Sequence, residues 1–367
     1  MPFKGRVLLV GPLEGARWRS ISVYTATLVE ALRSHGVEVA IARAPWFNPP
    51  SIVRGLRTLW TRQPEIRAAL RGEFDLIHLT DQALAHHVHR FRPHAPVVVT
   101  CHDLMPFTLP GYYHGRLEGI VKRAFLRRPI GALKHADSVI AVSNYTARDI
   151  ADLRAAPPER VHVIPNMVRG VFRPMARAEA EADLARRGIT LPPGPRVLSV
   201  GHAGGYKNLP LLLRALAEPP LLDANLVRVG ALRPGQQSLA RSLGITDRIA
   251  FLHGLDDEAM VSLFNACDVL AQPSLAEGFG LPVAEAFACG LPAVVSDGGA
   301  LAEVAGDAAT VVPLADVPAA FAAALAGSFG QERRSERATE RAADFSSATI
   351  TPQLIELYDL VSRERMA

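Results

Sequence analysis

Short apolar runs that end in a glycine-containing loop occur at two distant points of the chain. Arg6–Val10 leads into Gly11, and after a predicted helix over 23–35 a second apolar run follows at 37–41. Arg196–Val200 leads into a glycine in the same way. Strand, loop, helix and strand form the unit of doubly wound parallel sheets, which bind ligands at the carboxyl ends of their strands. The sequence therefore predicts an α/β protein with two such sheets.

The length of the chain agrees with two domains. Its 367 residues exceed what one core usually organises, and 49% hydrophobic with 21% charged residues describe a folded globular protein. We expect the first domain to comprise residues 1–172, ending in a linker that reaches Pro174. The second domain then spans residues 173–347.

The three cysteines favour a reducing compartment. Cys101, Cys267 and Cys289 are widely separated and show neither a disulfide framework nor a metal-ligand spacing. The N-terminal apolar run is too short for a signal peptide, and no apolar run reaches the length of a membrane span. We therefore expect a cytoplasmic protein.

Charge is distributed unevenly along the chain. Residues 1–174 carry 24 Lys and Arg against 13 Asp and Glu, a difference of +11, whereas residues 175–367 carry 16 against 23, a difference of −7. A basic first half is compatible with an anionic membrane surface, a lipid-phosphate acceptor or a nucleic acid, and equally with solvated arginine-rich helices. Charge alone does not choose among these interpretations.

Two glutamates flank a glycine-containing turn within residues 273–291. Gly280 frees the backbone to bend, and Pro282 suits the first turn of the helix that follows. A helix N-terminus attracts phosphate through its free N–H groups. Ionised carboxylates such as Glu277 and Glu285 only accept hydrogen bonds, so they suit the hydroxyls of a sugar or ribose. This stretch therefore predicts a site for a phosphate and a polyol side by side, as in a nucleotide sugar.

The same stretch resembles the signature of the retaining family 4 glycosyltransferases, which have the GT-B fold of two doubly wound domains facing across a cleft. Glu277 and Glu285 are separated by seven residues, with Gly-Phe-Gly-Leu-Pro between them. The resemblance implies that Glu277 contacts hydroxyls of the donor sugar and that Glu285 contacts the ribose. It also implies that the donor diphosphate meets the main chain of the intervening turn, which comprises Gly278, Phe279, Gly280 and Leu281.

The resemblance extends to two loops that carry ionisable side chains. An apolar strand ends at His102, where the family has a histidine beside the donor sugar. The loop Gly201–Asn208 is similar to the family's phosphate loop, in which Lys207 reaches the diphosphate. The family often has an arginine in this loop at the position of His202 or Tyr206, and this chain has it at neither. His202, if protonated, would supply part of that positive charge.

The remaining contacts that the resemblance implies lie in other loops. Gly15 stands in the loop after the first strand, which in the family closes on the donor phosphates, although serines replace two expected glycines. Gly254 and Leu255 follow a predicted strand, and we expect them to line the nucleobase pocket through their main chain. In the family the C-terminal segment crosses back, so we assign residues 348–367 to the first, acceptor-side domain.

We expect no metal and no cofactor other than the donor. Four histidines cluster between residues 86 and 94, but their facing on a helix is poor and no carboxylate or cysteine completes a set. We interpret them as a solvated helix rather than a metal site. No Asp-x-Asp motif occurs in the sequence.

The resemblance implies a retaining hexosyltransferase, and the missing Asp-x-Asp motif favours a metal-independent one. Its donor is a GDP-sugar or UDP-sugar, with mannose favoured, and its acceptor is a glycan, a lipid-linked sugar or a small molecule. The basic first domain suggests peripheral contact with the inner face of the membrane, and no recognisable module indicates a nucleic-acid partner. The alternatives are a nucleotide-sugar-binding GT-B protein with weak or no transfer activity, and another GT-B enzyme such as an epimerase or phosphorylase.

Overall fold

The computed structural model describes residues 3–11, 19–43, 64–91, 94–112, 116–314, 317–330 and 336–366. Contacts divide the chain into a first unit of residues 1–167 with 347–367 and a second unit of residues 168–346. These bounds lie slightly before the predicted ones at 172 and 348, and the C-terminal helix belongs to the first unit.

Strands and helices alternate along the first unit. Its strands are β1 (Arg6–Gly11), β2 (Glu38–Arg43), β3 (Leu76–Leu79), β4 (Val97–Cys101), β5 (Ser138–Ala141) and β6 (Val161–Val163). Its helices are α1 (Arg19–Ser34), α2 (Pro64–Ala69), α3 (His86–Phe91), α4 (Met105–Thr108), α5 (Arg116–Ala132), α6 (Asn144–Asp152) and, at the C-terminus, α15 (Ser347–Met366). Short 3-10 helices lie at Gln82–Leu84, Leu133–His135 and Pro158–Arg160.

The strands of the first unit form one parallel sheet with the order β2-β1-β3-β4-β5-β6. Every residue of β3, β4 and β5 is buried, which is typical of parallel strands covered by helices on both faces. Leu8 and Val10 of β1 belong to one apolar cluster, whereas Val7 and Leu9 belong to another, together with residues of α1 and α15. The alternation therefore places one core on each face of the sheet.

The second unit repeats this alternation. Its strands are β7 (Arg196–Val200), β8 (Asn225–Val229), β9 (Ile249–Leu252), β10 (Val269–Gln272), β11 (Ala293–Ser296) and β12 (Thr310–Val312). Its helices are α7 (Arg177–Arg186), α8 (Leu209–Ala215), α9 (Pro234–Ser242), α10 (Asp257–Ala266), α11 (Leu281–Ala288), α12 (Leu301–Ala305), α13 (Pro318–Gly327) and α14 (Glu336–Ala343). Short 3-10 helices lie at Gly205–Lys207, Pro219–Leu221 and Thr246–Arg248.

The second sheet is also parallel, with the order β12-β11-β10-β7-β8-β9. The first strand of this unit, β7, therefore lies in the middle of the sheet, between β10 and β8. Connections run to one side from β7 through β8 to β9, and to the other side from β10 through β11 to β12. This reversal is the switch point at which open α/β sheets bind ligands.

Local signals place several elements as the sequence predicts, with shifts at their ends. The side chain of Ser143 caps α6 by accepting a hydrogen bond from the Thr146 N–H at 3.0 Å, as expected. Helix α1 begins at Arg19 rather than near residue 23. The sequence also predicts a strand over 161–166, and in the structure this strand ends at Val163. The sequence also predicts a helix around residues 52–60, which lie outside the described residues.

Three features of the described residues bear on membrane spanning, metal binding and disulfide formation. No described helix combines the length and the apolar character that a membrane span requires. Within the same part of the chain, no three His, Cys, Asp or Glu residues lie together in a way that could hold a metal ion. All three cysteines are free and buried.

Candidate active site

Two loops of the second unit meet at the switch point of its sheet. One follows β7 and contains the 3-10 turn Gly205–Lys207, and the other follows β10 and leads into α11. Because β7 and β10 are neighbouring parallel strands, their carboxyl ends lie at the same edge. The Leu275 N–H donates a hydrogen bond to the Tyr206 carbonyl at 2.6 Å, so the main chains of the two loops are in direct contact.

Glu277 lies in the second of these loops and is only 7% exposed. Its Oε1 accepts hydrogen bonds from Ser274 Oγ at 2.6 Å, Gln272 Nε2 at 2.7 Å and Lys207 Nζ at 2.7 Å. These donors offset the cost of burying a carboxylate. Its other oxygen, Oε2, accepts no hydrogen bond from any residue that the structure describes. Glu277 therefore has one fixed oxygen and one that can accept a further donor.

Lys207 places a cation beside Glu277. Its Nζ pairs with Glu277 Oε1 at 2.7 Å, and the two side chains are 12% and 9% exposed. The amine also lies 5.5 Å from the centre of the Tyr206 ring. Gly201 lies beside it, since a Cβ built on Gly201 would be in ordinary contact with Lys207 Nζ, at 3.6 Å. Lys207 and Glu277, 70 residues apart in sequence, thus form one ion pair at the switch point.

A pair of glycines after β11 supports the loop that carries Glu277. A Cβ on Gly298 would lie 2.1 Å from the Ser274 carbonyl oxygen, and a Cβ on Gly299 would lie 2.4 Å from the Glu277 nitrogen. Gly299 also has a φ of +67°, which L side chains rarely adopt. The Ala300 N–H donates to the Glu277 carbonyl at 2.9 Å. Only residues without a Cβ allow this close main-chain contact.

The turn between the two glutamates folds into the start of α11. Gly280 is the residue before the helix and has a φ of +108°, and Pro282 lies in the first turn. Gly278, Phe279 and Gly280 are buried. The Phe279 ring packs edge-on against Phe345 at 5.3 Å, so it points into the core. Any contact of this turn with a ligand is therefore limited to main-chain groups and Leu281, as the main-chain role predicted for it requires.

Glu285 lies in α11 beside an arginine that the sequence did not identify. Its Oε1 lies 3.7 Å from Arg169 Nη2, and the two side chains are 14% and 18% exposed. Arg169 also donates a hydrogen bond to Asp257 Oδ2, and its guanidinium lies 5.1 Å from the centre of the Phe172 ring. Glu285 is thus held next to a cation, and its contact with a ribose stays a prediction.

His202 does not carry the positive charge that the sequence suggested. Its Nδ1 accepts a hydrogen bond from the Gly204 N–H at 3.0 Å, so Nε2 carries the proton and donates to the Tyr206 hydroxyl at 2.8 Å. Partial desolvation of the ring, and next the charge of Lys207, lower the pKa of His202 to about 4. The imidazole is therefore neutral at neutral pH, so the protonation on which its contribution of charge depended is not favoured here.

The other predicted donor contacts of the second unit lie after β9. Gly254 is exposed and has a φ of +67°, whereas Leu255 is 7% exposed. Their role in a nucleobase pocket stays a prediction. Gly15, which was predicted to approach the donor phosphates, lies outside the described residues.

His102 lies in the first unit, directly after β4, where the strand order predicts a ligand-binding edge. Its Nε2 donates to the Thr80 carbonyl at 2.9 Å, and its main-chain N–H donates to Gln82 Oε1 at 3.0 Å. The ring packs edge-on against Tyr24 at 4.8 Å. Desolvation lowers the pKa of His102, although the nearby Asp81 carboxyl opposes this shift. A neutral ring with its proton on Nε2 leaves Nδ1 as an acceptor.

A buried polar network lies behind His102. His78 is fully buried, with Nδ1 2.6 Å from the Tyr358 hydroxyl and Nε2 2.7 Å from Thr100 Oγ1. The Tyr24 hydroxyl lies 2.9 Å from the same Thr100 oxygen. The network therefore joins α15, β3, β4 and α1, and it fixes the tyrosine ring on which His102 rests.

Comparison with known proteins decides the family. A family model described as Glycosyltransferase Family 4 matches residues 21–169, and one described as Glycosyl transferases group 1 matches residues 185–345. The chain is 32% identical over 313 residues to a D-inositol 3-phosphate glycosyltransferase from Nocardia farcinica, which covers 79% of this chain and 67% of that protein. The chain belongs to the family 4 glycosyltransferases.

Two further similarities cover most of this glycosyltransferase. It is 30% identical over 283 residues to an MMP alpha-(1->4)-mannosyltransferase from Mycolicibacterium hassiacum, over 71% of this chain and 63% of that protein. HepE from Anabaena, solved in complex with UDP and glucose, superposes with a TM-score of 0.71 at 19% identity, over 96% of this chain and 99% of that one. The predicted GT-B fold is thereby confirmed. This chain aligns with only part of each of three D-inositol 3-phosphate glycosyltransferases, covering 67%, 57% and 53% of their lengths.

The site of this glycosyltransferase contains residues that the sequence alone did not single out. Gln272 and Ser274 belong to the strand and turn before Glu277, and both donate to its carboxylate. The double glycine at 298–299 indicates a turn in the sequence, but its support of the Glu277 main chain appears only in the structure. Arg169 lies in the segment predicted as a linker. One signal in the sequence could have identified Gln272, because it is the polar residue at the end of the apolar strand β10.

Proposed function

We propose that this glycosyltransferase moves a hexose from a nucleoside diphosphate to an acceptor hydroxyl, with retention at the anomeric carbon. The observation that carries the proposal is the Lys207–Glu277 pair at the switch point of the second sheet. A cation near the start of a helix suits a diphosphate. A buried carboxylate with one oxygen unoccupied among the described residues suits a sugar hydroxyl.

The proposed reaction breaks the bond between the anomeric carbon and the β-phosphate oxygen, and the bonding electron pair leaves with the diphosphate. An ammonium has three N–H donors. Lys207 gives one to Glu277, so two can stabilise the charge that develops on the leaving group. The acceptor oxygen bonds to the anomeric carbon on the same face, and its proton passes to the departing phosphate. No protein nucleophile and no metal ion takes part in this scheme.

Three further residues have predicted contacts with the donor. We propose that Glu277 Oε2 accepts a hydrogen bond from a hydroxyl of the sugar and that Glu285 binds the ribose. His102 stays a predicted contact of the sugar, since its Nδ1 can accept a hydrogen bond. An alanine substitution of His102 should raise the KM for the donor or lower kcat, and unchanged values would exclude that role.

The donor we propose is a UDP-hexose or GDP-hexose, with mannose favoured. HepE binds UDP and glucose, and one relative is named a mannosyltransferase, so both point to hexose donors in similar proteins. The acceptor we propose is a glycan, a lipid-linked sugar or a small molecule that carries a free hydroxyl. The names of the inositol phosphate relatives favour testing polyol phosphates first.

Nucleotide binding is the direct test of the donor. A ligand that binds only the folded protein stabilises it by about 2.7 kcal/mol at one hundred times its dissociation constant. We expect UDP or GDP to raise the melting temperature, and the matching nucleoside to raise it less. If neither diphosphate shifts the transition at millimolar concentration, the proposed donor site is wrong.

A transfer assay separates the enzyme from a protein that only binds nucleotide sugars. We expect wild-type protein to release the nucleoside diphosphate from its donor, and Glu277→Gln to bind the diphosphate but release almost none. Release that is absent from wild-type protein despite nucleotide binding would favour the binding protein. Release at wild-type rates from Glu277→Gln would contradict the role of this carboxylate.

We also propose that the first unit contacts an anionic membrane surface at the cytoplasmic face. Helix α5 carries Lys122, Arg123, Arg127 and Arg128, and Ile120 in its first turns is 52% exposed. Basic residues beside an exposed apolar side chain are typical of helices that lie in a membrane interface. We expect binding to vesicles with anionic lipids that weakens at high salt. Equal binding to neutral vesicles, or none to either, would exclude this contact.

A further inference from the structure

Arg228 is an unusual residue for the interior of a sheet. It lies on β8 and is 1% exposed, which makes it the largest fully buried side chain among the described residues. Its Nη1 donates to Ser199 Oγ at 3.0 Å, and its Nη2 donates to the Gly201 carbonyl. Its Nε has no hydrogen-bond partner among the residues that the structure describes. Ser199 lies in β7, and Gly201 is the first residue of the phosphate loop.

Arg228 lacks a counter-charge within the part of the chain that the structure describes. No Asp or Glu pairs with it there, and its two recorded partners are neutral oxygens. Burial lowers the pKa of Arg228 to about 10, so the guanidinium keeps its charge at neutral pH. A buried cation without an anionic partner is costly, and proteins usually pair or neutralise such groups. The unmatched charge therefore points to an anion from outside the chain.

Gly201 lies between Arg228 and Lys207. Its carbonyl accepts from Arg228, and a Cβ built on it would lie 3.6 Å from Lys207 Nζ. Gly230 allows this approach from β8, since a Cβ there would lie 2.4 Å from the Gly201 oxygen. Two cations thus flank the start of the phosphate loop. Glu277 neutralises Lys207, whereas Arg228 has no such partner among the described residues.

We propose that Arg228 is a positioning residue for the donor diphosphate. Its guanidinium holds the Gly201 carbonyl and so fixes the start of the loop Gly201–Asn208. The positive charge of Arg228, which no described carboxylate neutralises, attracts a diphosphate to that loop. The bound diphosphate then serves as the counter-ion of Arg228. The proposal rests on the proposed function, because it takes the donor diphosphate as the ligand of this loop.

Paired binding measurements test the role of this charge. Arg228→Gln removes the charge and leaves a shorter side chain with N–H donors, and Arg228→Lys keeps the charge. The dissociation constants of UDP, GDP, uridine and guanosine are measured by calorimetry for each folded variant. A unit charge within about 10 Å changes anion binding on the order of tenfold at an effective dielectric constant near 20. We expect Arg228→Gln to weaken the diphosphate about tenfold and its nucleoside less than about twofold.

A second arginine of the same sheet serves as the matched control. Arg248 directly precedes β9, at the amino-terminal end of that strand, and donates to the main-chain carbonyls of Leu216, Leu221, Leu222 and Ala224. Arg248→Gln therefore removes a part-buried arginine at the amino ends of the strands, whereas the phosphate loop follows the carboxyl end of β7. We expect it to change neither dissociation constant.

The outcomes distinguish the inference from the proposed function. Equal weakening of diphosphate and nucleoside by Arg228→Gln would mean a purely structural role, and no weakening would mean no role. If Arg228→Gln does not fold, Arg228→Lys decides, since we expect it to bind the diphosphate within about threefold of wild type. A larger loss in the folded lysine variant would overturn the charge argument. Wild-type protein that binds no diphosphate would refute the proposed function, and the inference with it.

Discussion

Substituting Gly299 tests how the loop that carries Glu277 is held. In Gly299→Ala the new Cβ would lie 2.4 Å from the Glu277 nitrogen and 2.5 Å from its carbonyl oxygen. The residue would also have to keep a φ of +67°. The left-handed conformation costs an alanine about 1 kcal/mol, and relieving a clash of this kind costs about 1–3 kcal/mol more. We therefore expect the free energy of unfolding to fall by about 2–4 kcal/mol in total.

Gly244 provides the matched control. Its φ is +68°, but a Cβ there would meet nothing within 4 Å, so Gly244→Ala should lose only the conformational cost of about 1 kcal/mol. Denaturant unfolding of both variants gives the two free energies. The loop displacement in Gly299→Ala should also lower kcat/KM about one-hundredfold, since a shift of about 1 Å at a reacting group has that effect. Gly244→Ala should keep wild-type turnover.

Equal destabilisation of the two variants would refute the reasoning, because it would mean that the contact between Gly299 and the Glu277 main chain contributes nothing. Normal turnover in Gly299→Ala would likewise show that the position of Glu277 does not depend on this glycine.

Three other predictions concern the Lys207 cation, the buried His78 and the independence of the reaction from metal ions. Lys207→Met should cost about 2–4 kcal/mol of transition-state stabilisation in kcat/KM, and a loss of only a few-fold would contradict its role at the leaving group. Burial lowers the pKa of His78 to about 3 from 6.5, so the unfolded chain binds the extra proton between these values and stability falls as the pH falls. From pH 7 to pH 5, wild-type protein should lose about 2 kcal/mol more than His78→Gln, and parallel unfolding curves would refute this. Chelation with EDTA should leave transfer unchanged, and loss of activity that Mg²⁺ or Mn²⁺ restores would show that the reaction needs a metal.

Much of the second unit could be predicted because local signals agree with its final contacts. The apolar run at 196–200 followed by Gly201 gives β7 and its loop, and Gly280 with Pro282 gives the start of α11. The predicted placement of Glu277 and Lys207 in these loops follows from the same signals. The family resemblance added roles to these residues, and their contacts with the donor stay predictions.

The ion pair between Lys207 and Glu277 could not be read from the sequence. It forms because β10 lies beside β7, and that strand order is a property of the whole sheet. The contact of Gly299 with the Glu277 main chain depends on β11 in the same way. Arg228 looked like an ordinary strand residue, because the sequence does not show which side of β8 faces the loop after β7.

His202 shows why a residue type alone does not fix a charge. The sequence placed an ionisable ring in the phosphate loop, and its protonation was the open question. The Gly204 N–H donates to Nδ1, and the Tyr206 hydroxyl lies 2.8 Å from Nε2. These partners suit the neutral ring, and the nearby Lys207 further disfavours protonation. The loop conformation therefore decided the charge state.

The most direct test of the central claim is a crystal structure with the bound nucleoside diphosphate, UDP or GDP as the binding measurements select. The account predicts β-phosphate oxygens within about 3 Å of Lys207 Nζ and of main-chain N–H groups in the first turn of α11. It also predicts that the ribose contacts Glu285 and that Glu277 Oε2 faces the space next to the β-phosphate. A nucleotide bound away from Lys207 and α11 would contradict the account.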